Sequence, residues 1–391
     1  MIVERDLAPR LRRAARQFPA VTLTGPRQSG KSTLCRSVFS KLPYVSLEAP
    51  DVRTFALEDP RSFLTQFPKG AVIDEVQRAP DLPSYLQGTI DEDPKPGRWI
   101  LTGSQNLALL HSVSQSLAGR SAVLHLHPLA RSEVLRFKRH PKRLDEALLA
   151  GGYPRIFDQK LEPADWLSAY VATYIERDVR TISNVGDLVT FQRFVELCAG
   201  RTGQLLNYSS LAADCGLSQP SARAWLSILE TSFIAFRLPA FHSNQRKRLV
   251  KMPKLHFYDS GLVCWLLGIR NTEQLRSHPL RGAIFESWVV SEIVKHRANR
   301  GESAGLSFYR DRDAAEADAI VERPDRLTLV EAKSARTASP SLFGGVRRVC
   351  GHFDDPARPC DAIVVYGGDD RQERSEARLV PWSELHDENW V

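Results

Sequence analysis

Gly25-Pro26-Arg27-Gln28-Ser29-Gly30-Lys31-Ser32 is the stretch that decides the fold of the first part of this chain. It fits the pattern G-x-x-x-x-G-K-[ST] at every fixed position. The residues before it, 21–24, form a short β-branched and apolar run that is typical of a buried parallel strand. The residues after it, 31–40, have the spacing of an amphipathic helix. A phosphate-binding loop requires this strand–loop–helix context, so the sequence predicts a nucleotide site here.

The loop offers several kinds of contact to a triphosphate. Its backbone N–H groups can surround phosphate oxygens, and the N-terminus of the following helix favours negative charge. Lys31 is expected to neutralise the β- and γ-phosphates, and the Ser32 hydroxyl is expected to bind Mg²⁺. The residues predicted to contact ATP are Gly25, Pro26, Arg27, Gln28, Ser29, Gly30, Lys31, Ser32, Thr33, Asp74 and Ser104.

A second motif is the apolar run Ala71-Val72-Ile73, which ends in the two acids Asp74 and Glu75. We expect Asp74 to be a Mg²⁺ ligand through the metal's water shell, and Glu75 to polarise the water that attacks the γ-phosphate. The alternative is a strand end whose acids are simply solvated. An acid directly after the metal ligand suits water activation, so the pair favours hydrolysis over a small-molecule kinase.

The remaining nucleotide contacts are less well specified. The strand at residues 99–102 ends in polar residues, and Thr102, Ser104 and Gln105 are all candidates to contact the γ-phosphate or the water. Arg120 is the candidate catalytic cation, acting either within its own chain or on a neighbouring subunit. A solvent-facing arginine is the alternative. Arg177 is a further candidate to reach the nucleotide.

Strand and helix patterns alternate up to about residue 148, which predicts an α/β fold with the parallel sheet of a P-loop NTPase. A turn cluster at residues 151–154 then marks a boundary. Helical patterns fill residues 163–199, and residues 209–230 have helix-turn-helix proportions, with Ser218 as an N-cap. Strands at 233–238 and 255–258 would form the hairpin of a winged helix.

The last region has one strong helix at residues 283–298 and strands at 306–310, 316–321, 327–333 and 362–366. The sequence therefore predicts three domains. They are a P-loop ATPase domain at residues 1–148, a helical and winged-helix-like domain at 149–275, and an α/β domain at 276–391.

Carboxylates in this last domain form a candidate metal site. Glu331 and Lys333 are two residues apart on one strand, so they share a face. If that strand pairs with residues 316–321 as a hairpin, Asp318 approaches Glu331, and Glu286 on the preceding helix adds a third carboxylate. Such oxygen ligands suit Mg²⁺ or Mn²⁺, with Lys333 as the catalytic cation that orients the attacking water. The alternative is a fold kept only for binding or assembly.

Basic clusters make DNA a candidate partner of this chain. The formal net charge is +7. Two groups of cations stand out, and either could neutralise DNA phosphates with salt-sensitive affinity. Solvated faces are the alternative for both, and a winged helix can also cover a nucleotide. The first group is Arg246, Lys247, Arg248, Lys251 and Lys254, and the second is Arg131, Arg136, Lys138, Arg139, Lys142 and Arg143.

Together these motifs resemble a family of prokaryotic AAA+ ATPases in which an AAA_14-type ATPase domain precedes a DUF4143 region. The resemblance implies ATP binding, a winged-helix-like middle and a restriction-endonuclease-like C-terminal fold with the D…E-x-K arrangement of PD-(D/E)XK nucleases. Ala317 and Ala319 flank Asp318, whereas relatives have bulkier apolar residues there. The residues that carry the resemblance are 24–33, 73–80, 101–106, 116–120, 126–129, 151–154, 174–178, 257–262, 282–286 and 330–333.

Composition excludes several other classes of protein. The six cysteines form no C-x-x-C pair, so a structural zinc site is not expected. No apolar run approaches the ~18 residues of a membrane span, and the first stretch lacks the apolar core of a secretory signal. We expect a cytoplasmic ATPase that acts on DNA, with a C-terminal site that could cut it. The alternative is an ATP-driven switch that binds DNA or proteins without cleavage. The sequence allows a homo-oligomer.

Overall fold

The computed structural model describes residues 3–104, 116–175, 188–241, 252–311, 315–353 and 358–391. The chain divides into two compact units. The first consists of Met1–Pro128 with Thr231–Phe233 and Ala298–Gly301, and the second consists of Leu129–Glu230, Ile234–Arg297 and Glu302–Val391. No helix in the described ranges is both long and apolar enough to cross a membrane.

The first unit contains a parallel sheet with the strand order β2-β3-β4-β1-β5. Its strands are β1 (Ala20–Thr24), β2 (Tyr44–Ser46), β3 (Ala71–Asp74), β4 (Trp99–Gly103) and β5 (Ser121–His125). Its helices are α1 (Ala8–Gln17), α2 (Lys31–Val38), α3 (Pro50–Glu58), α4 (Pro60–Thr65) and α5 (Leu82–Glu92). The predicted α/β fold class is confirmed.

Both faces of this sheet are buried at its central strands, which explains why those strands are mainly apolar. Successive residues of a strand point to opposite faces. Thus Ile73 and Trp99 belong to one core, while their neighbours Val72 and Ile100 belong to the other. The first core includes Phe63 of α4 and Leu86 of α5, and the second includes Leu11 of α1 and Leu34 of α2. The sheet is therefore held between two layers of helices.

The strand order brings the predicted nucleotide-binding motifs to one edge of the sheet. Strand β4 lies between β1 and β3, and all three are parallel. The loop at residues 25–30, the acids that end β3 and the polar end of β4 therefore lie side by side. This edge is where open α/β sheets bind their ligands.

The rest of the chain consists mainly of helices and two further sheets. The helices are α6 (Arg131–Val134), α7 (Leu144–Ala150), α8 (Pro154–Asp158), α9 (Pro163–Tyr170), α10 (Leu188–Ala199), α11 (Tyr208–Cys215), α12 (Gln219–Thr231), α13 (Ser260–Leu266), α14 (Thr272–Ser277), α15 (Arg281–Arg300) and α16 (Gly344–Cys350). Strands β6 (Gln204–Leu205), β7 (Ala235–Leu238) and β8 (Lys254–Phe257) form an antiparallel sheet with the order β6-β8-β7.

The helix-turn-helix and the hairpin that the sequence predicted are present. Helices α11 and α12 are separated by a turn at Gly216, whose φ of +68° ends α11 in the left-handed conformation that glycine favours. The Ser218 hydroxyl accepts a hydrogen bond from the Ser221 N–H at 3.1 Å, as an N-cap does. Strands β7 and β8 pair antiparallel.

The C-terminal sheet has six strands in the order β13-β14-β12-β11-β10-β9. They are β9 (Leu306–Arg310), β10 (Glu316–Glu322), β11 (Leu327–Lys333), β12 (Cys360–Tyr366), β13 (Gln372–Glu373) and β14 (Arg378–Pro381). Strands β10 and β11 form the predicted antiparallel hairpin, whereas β12 is parallel to β11. Phe343 and Val346 cover one face of this sheet.

Candidate functional site

The shape of the phosphate-binding loop depends on its glycines. Gly25 has a φ of +150°, and a Cβ atom there would lie 2.2 Å from the carbonyl oxygen of Leu126. Gly30 has a φ of +92° and immediately precedes α2. Both positions therefore exclude ordinary side chains, which have a Cβ atom. The loop turns tightly from β1 into α2 with its backbone at the N-terminus of the helix, where anions bind.

Lys31 is the first residue of α2 and is only 5% exposed. Its ammonium donates hydrogen bonds to the carbonyl oxygens of Gly25 at 2.9 Å and Pro26 at 2.8 Å. Burial lowers the pKa of Lys31 to about 8, although the nearby acids Glu75 and Asp74 oppose this shift. The lysine is therefore held inside the loop, with its ammonium bound to loop carbonyl oxygens.

Arg5 also holds the loop in place, although nothing in the sequence marked it. It is buried and donates hydrogen bonds to the carbonyl oxygens of Ser29 at 2.6 Å and His127 at 2.8 Å. These contacts join residues that are 24 and 122 positions apart. A pattern in the local sequence has no means of predicting such a pair.

Asp74 lies at the centre of a group of hydroxyls. Its Oδ2 atom accepts hydrogen bonds from Ser32 at 2.8 Å and from Tyr44 at 2.5 Å, and its Oδ1 atom accepts one from Thr102. Burial and the bond to Asp74 raise the pKa of Tyr44 to about 12. A serine hydroxyl next to a carboxylate at the edge of the loop is the oxygen donor set that Mg²⁺ prefers. Ser32 and Asp74 therefore fit the predicted Mg²⁺ site, and Thr102 contacts Asp74 directly.

Glu75 follows with a φ of +56°, a conformation that costs a non-glycine residue roughly 1 kcal/mol or more. Its Oε2 atom accepts hydrogen bonds from the Ser104 hydroxyl at 3.2 Å and from the amide of Gln77. Such strain is common in catalytic residues, whose conformation is fixed by their surroundings. Ser104 therefore contacts the candidate base, while Gln105 lies outside the described residues.

Arg120 does not lie with these residues. The parallel register pairs Ala20 with Ser121 and Thr24 with His125, so Arg120 precedes the start of β5, whereas the loop follows the end of β1. Arg120 is level with Pro19, six residues before Gly25, so the two places are about 20 Å apart along the strand direction. The Arg120 guanidinium instead forms two hydrogen bonds with Asp91, at 2.5 and 2.9 Å. The alternative in which Arg120 acts within its own chain is therefore wrong, and action on a neighbouring subunit stays a prediction.

In the C-terminal sheet, the hairpin brings Asp318 and Glu331 onto neighbouring strands, since Ala319 pairs with Val330. The Oδ2 atom of Asp318 accepts a hydrogen bond from the Ala332 N–H at 2.8 Å. Glu331 pairs with Lys333 on its own strand. Burial and the nearby Asp318 charge raise the pKa of Glu331 to about 7. The predicted approach of Asp318 to Glu331 through the pairing of β10 and β11 is therefore present.

Lys254 is the residue that changes the interpretation of this site. It is 2% exposed, and its ammonium lies 2.7 Å from Glu286 Oε1, 2.6 Å from Glu316 Oε1 and 3.4 Å from Asp318 Oδ1. Burial lowers the pKa of Lys254, but the surrounding carboxylates, Glu286 first, raise it more. The assignment of Lys254 to a DNA-contacting basic stretch is therefore wrong, because its charge is used inside the protein. Glu316 was not predicted.

The predicted metal ligands are thus divided between two lysines. Glu286 and Asp318 contact Lys254, and Glu331 contacts Lys333. Within the described part of the chain, no group of three or more histidines, cysteines or acids is arranged to hold a metal ion. The three carboxylates therefore do not fit a divalent cation as they stand.

The other candidate residues have structural roles or lie outside the described ranges. Asp259 is buried and accepts hydrogen bonds from the Gly152 N–H at 2.6 Å and the Leu262 N–H at 2.8 Å, which joins two of the motifs. Arg131 is buried and donates a hydrogen bond to the Pro141 carbonyl oxygen. It is therefore not available to contact DNA with the rest of the second basic group. The exposed members of that group are Arg136, Lys138, Arg139, Lys142 and Arg143. Arg177, Arg246, Lys247, Arg248 and Lys251 lie outside the described residues.

Comparison with known proteins gives three consecutive domain matches. A model described as an AAA domain, AAA_14, matches residues 17–135. Domains of unknown function match residues 141–273 (DUF8612) and 281–385 (DUF4143). The uncharacterized proteins Mb2031c of Mycobacterium bovis and Rv2008c of Mycobacterium tuberculosis are each 33% identical over 350 residues, which is 89% of this chain and 77% of theirs. This chain belongs to their family.

In this chain, the AAA-domain match includes both the phosphate-binding loop and the acids that end β3. The protein is therefore a P-loop ATPase of the AAA type. Among solved structures, it is similar to a Walker-type ATPase of Pyrococcus abyssi, with 15% identity, a TM-score of 0.45, and coverage of 68% of this chain and 96% of the other. It is also similar to a RuvB variant of Thermotoga maritima, with 16% identity, a TM-score of 0.32, and coverage of 64% of this chain and 95% of the other.

Proposed function

We propose that this ATPase acts on DNA and that its C-terminal domain contributes by binding, without cutting. The observation that carries the DNA proposal is the order of elements in the middle of the chain. A helix, a short strand, two helices and two further strands follow one another as α10, β6, α11, α12, β7 and β8, and the three strands form one antiparallel sheet. This order supports a winged-helix interpretation, and in the sequence the basic stretch 244–248 falls between the two hairpin strands.

The residues at the edge of the first sheet have separate roles in the proposed hydrolysis. Lys31 leaves its loop carbonyls to bind the β- and γ-phosphates, and Ser32 and Asp74 would hold Mg²⁺. When bound, Mg²⁺ would supply positive charge that offsets the charge of the phosphates. Glu75, oriented by Ser104, accepts a proton from the attacking water. Arg120 supplies a cation only to a neighbouring subunit, so this part of the mechanism requires a homo-oligomer.

Replacement of the base should separate nucleotide binding from hydrolysis. Glu75→Gln is expected to bind ATP with nearly unchanged affinity and to hydrolyse it about 10²–10⁴-fold more slowly, because a proton acceptor contributes that much to such reactions. Binding would be measured by calorimetry and turnover by phosphate release. Glu58→Gln, the same change at an exposed acid in α3, is the matched control. Unimpaired turnover in Glu75→Gln would contradict the assigned role.

DNA binding should depend on the basic stretch between the hairpin strands. The triple variant Arg246→Ala/Lys247→Ala/Arg248→Ala is expected to bind duplex DNA about tenfold more weakly in moderate salt. The slope of log K against log salt should become shallower by about two to three, because each lost phosphate contact changes it by about 0.9. The matched control carries the same loss of charge in the second basic group, Lys138→Ala/Arg139→Ala/Lys142→Ala. Equal binding by the wild type and the first triple variant would contradict the proposal.

DNA cleavage is the second candidate function. The hairpin that places Asp318 beside the Ala332 N–H favours cleavage, whereas the contacts of Lys254 favour binding without cleavage. Linear, circular and single-stranded DNA would be incubated with the protein and Mg²⁺ or Mn²⁺. We expect the DNA to stay intact. Cleavage by the wild type that disappears in both Asp318→Ala and Lys333→Ala would establish a nuclease instead.

A further inference from the structure

The carboxylates Glu286, Glu316 and Asp318 surround a cation that belongs to the protein itself. Lys254 Nζ lies 2.7, 2.6 and 3.4 Å from one oxygen of each, in the order given. These carboxylates lie on α15 and β10, whereas Lys254 lies on β8 of the small antiparallel sheet. Two different parts of the second compact unit are therefore joined through one ammonium group.

We propose that Lys254 is the resident cation of this carboxylate cluster and that it keeps divalent metal ions out. The proposal rests on the geometry of the cluster alone, so it holds whether or not the protein acts on DNA. It also predicts that the cluster becomes a divalent-cation site when the Lys254 side chain is removed.

The space available supports one cation but not two. Mg²⁺ lies about 2.0–2.1 Å from its oxygen ligands, and the larger Ca²⁺ about 2.3–2.6 Å. An ammonium nitrogen 2.6–2.7 Å from the Glu316 and Glu286 oxygens stands in the same volume that such an ion would occupy. A second cation there would be repelled by the first in a buried environment with weak screening. Binding of Lys254 and binding of a metal ion are therefore mutually exclusive.

Lys254 is also held firmly in this position. It lies in the central strand of its sheet, where its register partners are Leu205 on β6 and Leu238 on β7. Its ammonium is 5.5 Å from the centre of the Phe308 ring, close enough for a favourable cation–π contact. A metal ion therefore has to displace a buried side chain whose backbone is fixed on both sides.

Glu331, on the strand next to Asp318, has a carboxylate oxygen without a partner in the described part of the chain. Glu331 is 6% exposed, and only its Oε1 atom pairs with Lys333. Its Oε2 atom is buried and has no hydrogen-bond partner among the described residues. Buried carboxylate oxygens usually have a partner, because an unsatisfied one is costly. Because Glu331 lies opposite Asp318 in the hairpin, this oxygen is an open ligand position on the residue next to one of the three carboxylates.

Mn²⁺ alone, without nucleotide or DNA, is the probe that tests the proposal. Binding to the full chain would be followed by the loss of the free-ion signal in electron paramagnetic resonance. The variants are Lys254→Ala, Lys254→Ala/Asp318→Asn, Asp318→Asn and the exposed-lysine control Lys142→Ala. Lys254→Ala is expected to bind Mn²⁺ about tenfold or more tightly than the wild type, since carboxylate oxygens are freed. The double variant should lose this gain, and the control should match the wild type.

Two binding results would overturn the proposal. One is a wild-type Mn²⁺ site that Asp318→Asn removes, because metal and lysine would then occupy the cluster together. The other is folded Lys254→Ala that binds Mn²⁺ no better than the wild type. If Lys254→Ala folds poorly, thermal unfolding is the measurement to use. Mn²⁺ is expected to raise the melting temperature of Lys254→Ala but not that of the wild type. A variant that stays unfolded in millimolar Mn²⁺ also counts against the proposal.

Discussion

Lys31→Ala is expected to abolish measurable ATP binding and to lower ATP turnover by about a thousandfold, the scale observed when a preorganised group that stabilises transition-state charge is removed. The structure gives the reason. The ammonium is buried in the loop and bonded to the carbonyl oxygens of Gly25 and Pro26, so it is already next to the place where the phosphates bind. Alanine leaves the start of α2 intact, because it is a good helix former.

The control for this prediction is Lys41→Ala, which removes an exposed lysine shortly after the same helix. ATP binding would be measured by calorimetry and turnover by phosphate release, with circular dichroism to verify the fold. Lys41→Ala should behave as the wild type in all three measurements. Normal turnover in Lys31→Ala would mean that the loop at residues 25–32 is not the site of hydrolysis.

Lys254→Ala is expected to cost the second unit about 3–5 kcal/mol of unfolding free energy, because it leaves buried carboxylates without their partner cation. The Glu286 and Asp318 side chains are 14% and 10% exposed, so water relieves little of the repulsion between them. Tryptophan fluorescence in a denaturant titration without divalent metal is a suitable measurement. Six of the seven tryptophans lie in the second unit, at positions 166, 225, 265, 288, 382 and 390.

Two comparisons make this stability prediction specific. Lys142→Ala, an exposed lysine in the same unit, should change the free energy of unfolding by no more than about 0.5 kcal/mol. Glu286→Gln added to Lys254→Ala removes one of the uncompensated charges, so the double variant should be more stable than the sum of the two single losses. Strict additivity would show that the 2.7 Å pair contributes nothing to stability.

The sequence alone was sufficient for the features that local patterns encode. The glycines of residues 25–30 are required by backbone conformation, and the alternation of Glu331 and Lys333 follows from the two-residue period of a strand. The helix-turn-helix with its Ser218 cap and the hairpin of β10 and β11 were predicted for the same reason. Each of these predictions uses interactions between residues that are close in the chain or joined by a short turn.

Charge pairing across the fold was not predictable in this way. The local sequence does not distinguish Lys254 from any other lysine beside a basic stretch. It also does not distinguish Arg120 from an arginine that contacts a γ-phosphate. Only the structure shows that Lys254 is buried among Glu286, Glu316 and Asp318. It also shows that Arg120 is bound to Asp91, at the end of the strands opposite to the phosphate-binding loop.

The sequence by itself therefore determined that this protein is an α/β ATPase with a phosphate-binding loop and a carboxylate-bearing C-terminal sheet. The tertiary structure decided which cation those carboxylates hold, and it showed that Arg120 lies away from the phosphate-binding loop of its own chain. The physical reason is that backbone sterics and strand periodicity act over a few residues. Coulomb energy and burial depend instead on which atoms meet in space, and Lys254 and Asp318 are 64 positions apart in the chain.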